Sequence, residues 1–566
     1  MRSAFERGRA IALAFAMSSA AFAQAEPPTP AAPETTAASP ETAPATDAEP
    51  APADSSAGPP SSGQLPLALH DAIASALQRN TDVELFRYDP AIADYQLRAA
   101  WGAHEPVFAA DGTYLSANVP SASRFSASGD RRIYGSTGVQ GVLPLLGWQY
   151  DFGYDGQKDS SNSAFTALRP EYRASLGGTL SMPLLRGFLF GEPWVRVRTA
   201  GKGTDIADEQ FRGRLMDVVR NTEDAYWALA AASRAREVAQ KSLETSRALL
   251  KQTQAQYQVG VVSKVEVTEA EAGVAQREFQ LIGAENFFRS SQDALVDLVY
   301  GPALTPTSTL EIVIADSPEN YQKLEVDPSI AAEKALANRP ELRAAESQLE
   351  AERIRLQFAK NQRLPQLDLV ASYTTHGLSG VENPTRICAE QFQVPPQPCP
   401  PLGIPKEYGK THDQFFDGND NRTWYTGARV SIPIGNTSAR SNVRIGEIEL
   451  HRAETLVDRQ RQSIVAEVRN AVRNLQSAIQ GIEAAERRRI AAAEQHRAEQ
   501  IRLEHGESTP FDVLQREEDL VEAESQKIAA LRVYHGSVVA LDRAQGTLLE
   551  DRGIAVESVK RRRAPR

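Results

Sequence analysis

Apolar residues recur seven positions apart along two stretches of the chain. Leu243, Leu250 and Tyr257 make one row, and beyond a short break Val267, Val274, Leu281, Phe288 and Leu295 make the next. A seven-residue repeat keeps one seam of a helix turned toward a neighbour, so the pattern predicts helices lying side by side and supercoiled. Ala239, Ser246 and Thr253 form a small-residue row beside the first, which permits close approach. Leu514, Val521 and Ile528 repeat the heptad near the end. From about 198 to 259, and again from about 439 to 505, there is no proline and only scattered glycine. Each stretch predicts one continuous helix on the order of 90 Å long.

Elsewhere the period changes from helical to alternating. Positions 69 to 101 read as helix with an interruption at Asn80-Thr81, and Glu105-Pro106 ends it; positions 330 to 358 read the same way and break at Leu364-Pro365. After each proline, apolar residues fall on every other position, over 107–115 and 367–373. Further strands fit about 133–143, 148–155, 172–183 and 423–434. Such strands suit a membrane barrel with one face to lipid and one to a wetter interior, or a soluble sandwich. A polar, proline-rich stretch from about 375 to 421 predicts an exposed loop.

The chain is made twice. Ala76 and Ala335, Leu77 and Leu336, Pro106 and Pro365, and Tyr114 and Tyr373 all stand at one constant offset. Each half returns to helix through Ser-x-Pro, at Ser181-Met182-Pro183 and Ser431-Ile432-Pro433. Each long helix then breaks at a glycine: Gly260 is followed by Ser263, Glu266 and Val267, and Gly506 by Thr509, Asp512 and Val513. One helical hairpin tip is therefore present in two copies. The first half also holds an additional hairpin over 133–155, which either joins the sheet or forms a flap.

Composition sets the compartment. Arg2, Arg7 and Arg9 precede an apolar run over about 10–22 and Ala21-Phe22-Ala23, which predicts a cleaved export signal over 1–23. No cysteine follows that site for a lipid anchor. Residues 24–64 are dominated by Ala, Pro, Thr, Glu and Ser, and predict a disordered tether. The formal net charge of −11 argues against a nucleic-acid partner. The only cysteines, Cys388 and Cys399, form a disulfide in an oxidising compartment or remain two free thiols. No metal or cofactor motif and no catalytic constellation is present, so the chain reads as a conduit or scaffold and not an enzyme.

The duplicated order of short helix, strands, Ser-x-Pro, long helix, glycine tip and long helix resembles the TolC-like outer-membrane efflux proteins. Residues 76–80, the breaks at Pro106 and Pro365, residues 181–187 and the two tips carry the resemblance, which covers about 65 to 550. It implies a mixed α and β membrane protein with internal duplication. Long antiparallel coiled-coil hairpins would form a periplasmic α-barrel, and the strands would contribute to a transmembrane β-barrel closed by a homotrimer. The first repeat spans 65–301, with barrel strands over about 107–183. The second spans 302–550, with strands over about 366–376 and 423–434. Residues 551–566 form a basic tail.

By the same resemblance the chain is a subunit of an export duct, with outer-membrane lipid around it. A periplasmic adaptor (membrane fusion) protein and an inner-membrane transporter would be its partners. The docking role falls to Val259, Gly260, Val261, Val262 and Ser263, and to Gly506, Glu507, Ser508 and Thr509. Valines beside Gly260 suit a partner helix tip or merely cap the hairpin. Asp512 matches an acidic ring at the pore entrance, or is a first-turn acid favoured by the helix dipole. Gln515 stands where a second acid is expected, and Leu503 and Ser508 where some members carry gating residues. A surface-anchored structural coiled-coil protein or adhesin is the alternative.

Overall fold

The computed structural model describes residues 62–120, 129–144, 146–163, 165–301, 309–393, 395–416 and 421–555. The signal over 1–23, nearly all of the tether and the end of the basic tail lie outside them. The first half contains β1 (Ser62–Leu67), α1 (Leu69–Arg79), α2 (Thr81–Trp101), β2 (Val107–Asn118), β3 (Gly129–Val142), β4 (Gln149–Ser161) and β5 (Leu168–Pro183). It ends with the hairpin of α3 (Glu192–Gln258) and α4 (Lys264–Tyr300). The second half contains β6 (Thr309–Ile314), α5 (Pro328–Asn338), α6 (Pro340–Gln362), β7 (Gln366–Glu382), α7 (Gly409–Asp413) and β8 (Arg422–Ser431). Its hairpin joins α8 (Thr437–Glu504) to α9 (Pro510–Gln545), and a last turn, α10 (Leu548–Asp551), follows.

The long helices are continuous over 67 and 68 residues, α3 and α8 respectively. At 1.5 Å per residue each extends about 100 Å. Helix α3 packs against its own hairpin partner α4 and also against α2, α6 and α9 of the surrounding elements. Its buried stretch, including Met216, Val219, Tyr226, Leu229 and Ala230, serves cores from both halves.

Local caps set where the short helices begin. The Asn80 side-chain oxygen Oδ1 accepts from the N–H groups of Asp82 and Val83, at 2.8 and 3.4 Å, and starts α2. Its amide donates to the Leu298 carbonyl near the end of α4, at 3.0 Å. The corresponding residue of the second half is Arg339, whose guanidinium donates to the Ala544 carbonyl at the end of α9, at 3.2 Å. The duplication is therefore kept in contacts even where the residues differ.

Two departures from the sequence reading concern the strands. The tether ends before residue 62, because β1 pairs in parallel with β6 from Ser62↔Thr309 to Leu67↔Ile314. This belt is fixed to the middle of α3 by Tyr226, fully buried, whose hydroxyl donates to Asp316 at 2.6 Å and lies 3.0 Å from the Leu67 carbonyl. The other strands form one 6-stranded sheet ordered β2-β3-β4-β5-β7-β8. The additional hairpin, β3 and β4, thus lies inside the sheet. Strand β7 runs to Glu382 and β8 ends at Ser431, so the loop expected from about 375 starts later and the second strand ends sooner.

That loop is not wholly exposed either. Its proline-rich part is, but α7 folds back onto the sheet, where the buried Thr411 and Ser379 hydroxyls bond to one another. Cys388 and Cys399 are joined, with S–S 2.07 Å and Cα–Cα 5.7 Å.

Where the halves meet, long helices are locked by charge. Arg339 pairs with Glu467 at 2.9 Å and Glu341 at 3.0 Å, Arg543 with Asp217 at 2.8 Å and Glu341 at 2.6 Å, and Arg552 with buried Glu223 at 2.7 Å. Burial alone would raise the Glu341 pKa, but Arg543 and Arg339 outweigh it and hold the carboxyl below its usual range. Asp542 differs: burial pushes its carboxyl up to about 6 despite Arg552 at 3.4 Å. The folded state then holds the Asp542 proton more tightly than the unfolded state, so its contribution weakens as pH rises from about 4 to 6. Asp542→Asn should raise stability at pH 7.5 by on the order of 1 kcal/mol or more, with no gain at pH 4. Thermal unfolding of both proteins across that range, followed by circular dichroism, checks this.

Candidate functional site

Both tips use the same stop and restart. At the first, Gly260 has φ +79°, and the N–H groups of Gly260 and Val261 turn back to the carbonyls of Tyr257 and Gln256, at 3.0 and 2.9 Å. At the second, Gly506 has φ +77°, and Gly506 and Glu507 return to Leu503 and Arg502, at 3.0 and 2.8 Å. A left-handed residue satisfies the last carbonyls of a helix in this way, and glycine adopts it without the Cβ penalty.

The next helix starts through a capping box. The Ser263 N–H and hydroxyl both reach the Glu266 carboxylate, at 3.3 and 3.2 Å. The Thr509 N–H and hydroxyl reach Asp512, at 3.3 and 2.7 Å, while the Asp512 N–H donates to the Thr509 hydroxyl at 3.3 Å. The recurring Gly, hydroxyl and acid spacing is thus a helix stop followed by a helix start. Hydrogen bonds from Thr509 hold the Asp512 carboxyl below its usual pKa, and the side chain remains exposed.

The tips differ in surface. Val259 and Val261 are 75% and 70% exposed, with Val262 half-buried beside them. At the second tip Gly506, Glu507 and Thr509 are exposed, and the Ser508 hydroxyl donates to Glu499, which also pairs with Arg502 at 3.2 Å. Gln515 is exposed one turn beyond Asp512.

Behind the tips, the two hairpins are fastened together. Glu517 of α9 is only 3% exposed and accepts from Ser242 and Ser246 of α3, at 2.9 and 3.3 Å. Ser246 belongs to the small-residue row that the sequence marked for close packing, but its hydroxyl also holds a buried carboxylate. Glu517 went unrecognised in the sequence. Its position one helical turn after buried Val513, on the packed side of α9, was the available signal. Nearby, a Cβ at Gly273 of α4 would lie 2.9 Å from Leu514 Cδ1. The hairpins cross closely here.

The sheet separates chemistry by face. Residues in register on one side include Phe108, Val139, Phe152, Gly178, Tyr373 and Trp424 at one level, and Tyr114, Ile133 and Tyr172 at another. The opposite side carries Asp111, Ser136, Asp155, Ser175 and His376, with Arg132, Asp151, Asp159, Glu171, Arg173, Asp368 and Arg429 at other levels. Strands β2, β5, β7 and β8 all join the helices at one rim. Among the described residues no helix is long and apolar enough to cross a membrane.

A sheet apolar on one face and polar on the other, continued from one rim by two paired helical hairpins, defines a wall of a membrane channel with a long helical extension. The chain belongs to the outer membrane efflux protein family, whose pattern matches residues 139–299 and 331–547. It is 24% identical over 364 residues to the outer membrane protein TolC of Vibrio cholerae, covering 63% of this chain and 74% of that one. Its fold is similar to CusC, with TM-score 0.61, 15% identity, and 84% of this chain and 92% of that one covered. The Campylobacter jejuni CmeC outer membrane channel gives TM-score 0.59 at 16% identity, covering 87% and 88%. The open-state Neisseria gonorrhoeae MtrE channel gives 0.57 at 18%, covering 85% and 89%. The protein is an outer-membrane efflux channel with a periplasmic helical domain, and the structural coiled-coil alternative is not favoured.

The Glu517 contact predicts that Glu517→Ala leaves the Ser242 and Ser246 hydroxyls buried without an acceptor, at a cost of about 1–3 kcal/mol. Amide exchange in the first turns of α9 should accelerate while that of β1 and β6 does not.

Proposed function

We propose that three copies assemble into one continuous export duct. The observation that carries this reading is the open 6-stranded sheet, in which β2 and β8 each have one unpaired edge. Hydrocarbon offers those backbone groups no partner, so the edges require strands from other copies. Three sheets of 6 would close a barrel of about 18 strands, wide enough for an aqueous channel. Apolar residues left open on the helices support the same assembly: Phe279 and Ile282 of α4 are 74% and 65% exposed, and Ile448 of α8 is 66% exposed.

In this reading an export signal over 1–23 delivers the chain. The tips at Val259, Gly260, Val261, Val262 and Ser263, and at Gly506, Glu507, Ser508 and Thr509, dock a periplasmic adaptor that connects the duct to an inner-membrane transporter. The bare valines of the first tip supply apolar contact. The second tip places Asp512 at the duct's entrance, where three carboxylates around an axis favour cations, with Gln515 as a neutral neighbour. The acid-rich polar face of the sheet extends that preference along the barrel.

The assembly is tested on the full chain purified in detergent: a trimer conducting ions in planar bilayers is expected, and a monomer stable without detergent would sink the proposal. Val261→Asp should abolish export in cells while leaving the trimer intact, and wild-type export would remove the docking role. Asp512→Asn should lower cation over anion permeability, read from reversal potentials in a salt gradient. Unchanged selectivity would leave Asp512 as a helix cap alone.

A further inference from the structure

The apolar face of the sheet contains a groove that a duct does not use. Gly112, Gly135, Gly156, Ala174 and Gly377 stand opposite one another on β2, β3, β4, β5 and β7. At the β7 end this level is filled by the chain itself: a Cβ on Gly377 would come within 1.9 Å of the Thr411 carbonyl of α7. At the other end it is open. A Cβ on Gly112 would meet nothing within 4 Å, and one on Gly135 only the Asp111 carbonyl at 3.7 Å. The open part is a cavity of about 600 Å³ walled by Ile133, Tyr154, Tyr172 and Tyr408. That volume lies within the roughly 300–1,000 Å³ typical of small-molecule sites.

Glycine inside a strand weakens it and marks places where a ligand or another backbone comes close. At Gly377 the approaching backbone is α7. At Gly112 and Gly135 no described residue makes that approach. The charges above this floor show what does. Lys158 faces the same side, with Nζ 5.6 Å from the centre of the Tyr172 ring. Ile133 stands opposite Lys158 across the ladder, and Arg131 follows two residues along β3 on the same side. Both cations are exposed. Arg422 is the other charged residue in register on this face, and no Asp or Glu is paired into it along the described ladders. All three cations lie toward the rim opposite the helices, where an outward face meets the headgroups of the outer leaflet.

We infer that this groove binds a phosphate-bearing lipid of the outer leaflet. An acyl chain lies over Gly112 and Gly135 beside the tyrosines, which themselves cover Gly156, and the phosphate is held by Lys158 and Arg131. The site rests on the apolar face pointing outward, as in the duct proposed above. It gives each subunit a lipid seat beside α7, so that lipid and α7 together cover the small-residue level of the sheet.

The test uses the full-chain trimer, stripped of lipid in detergent and titrated with dimyristoyl phosphatidic acid under native mass spectrometry. Saturable binding to the wild type is expected, without competition from millimolar inorganic phosphate. Gly135→Leu, which fills the floor, and the double variant Lys158→Ala with Arg131→Ala should each weaken binding at least about tenfold. Both should keep wild-type conductance, because the groove lies outside the duct. Equal binding by the wild type and the double variant would overturn the site, whether or not Gly135→Leu folds. Altered conductance in the double variant with unchanged lipid binding would instead show that this face lines the lumen, overturning its outward orientation and the site together.

Discussion

A strand edge cannot remain open in hydrocarbon, because its N–H and C=O groups have no water to bond. That constraint governs this chain at several levels. The sheet has two faces of opposite character and two free edges, at β2 and β8, so its stable form in a membrane is closed by other strands. The long helices escape the constraint, since their backbones are satisfied internally, and their heptad seams and exposed apolar rows answer to packing alone. Among the described residues the chain brings 6 strands to that sheet, and the proposed three-copy barrel would satisfy both edges.

Duplication supplies the frame and divergence supplies the roles. Asn80 and Arg339 occupy equivalent corners and reach the same kind of target, a carbonyl near the end of a hairpin's second helix. The longer arginine also binds Glu467, which draws α8 into the junction. The tips diverge in the same manner on an unchanged backbone. Valines around Gly260 leave apolar surface in water, whereas Glu507, Ser508 and Arg502 surround Gly506 with polar contacts. Glu517 ties these unlike hairpins together, through a carboxylate that tolerates burial because two serine hydroxyls donate to it.

Much of the fold was legible in the sequence because it rests on periodicity. The heptads, the proline breaks and the alternating segments each report a local geometry that repeats along the chain, and the constant offset between halves makes the duplication visible. The tips were legible for the same reason, as Gly, hydroxyl and acid at fixed spacing are local instructions to stop and restart a helix. The parallel pairing of β1 with β6 was not, since both strands are short and their partners lie far apart in the chain. Helix α7 was hidden in a polar loop, because its burial depends on a glycine at 377 that means nothing until β7 lies beneath it.

The sequence by itself determined the long helices, the two tips, the amphipathic strands and the export context, all of which follow from side-chain period and composition within one segment. Only the tertiary structure decided that the additional hairpin sits within the sheet, that Glu517 is held between serines of another hairpin, and that glycines from separate strands meet at one level. These outcomes depend on register, on which residues of distant segments stand opposite one another. A shift of one residue in any ladder would move every side chain of that strand to the other face.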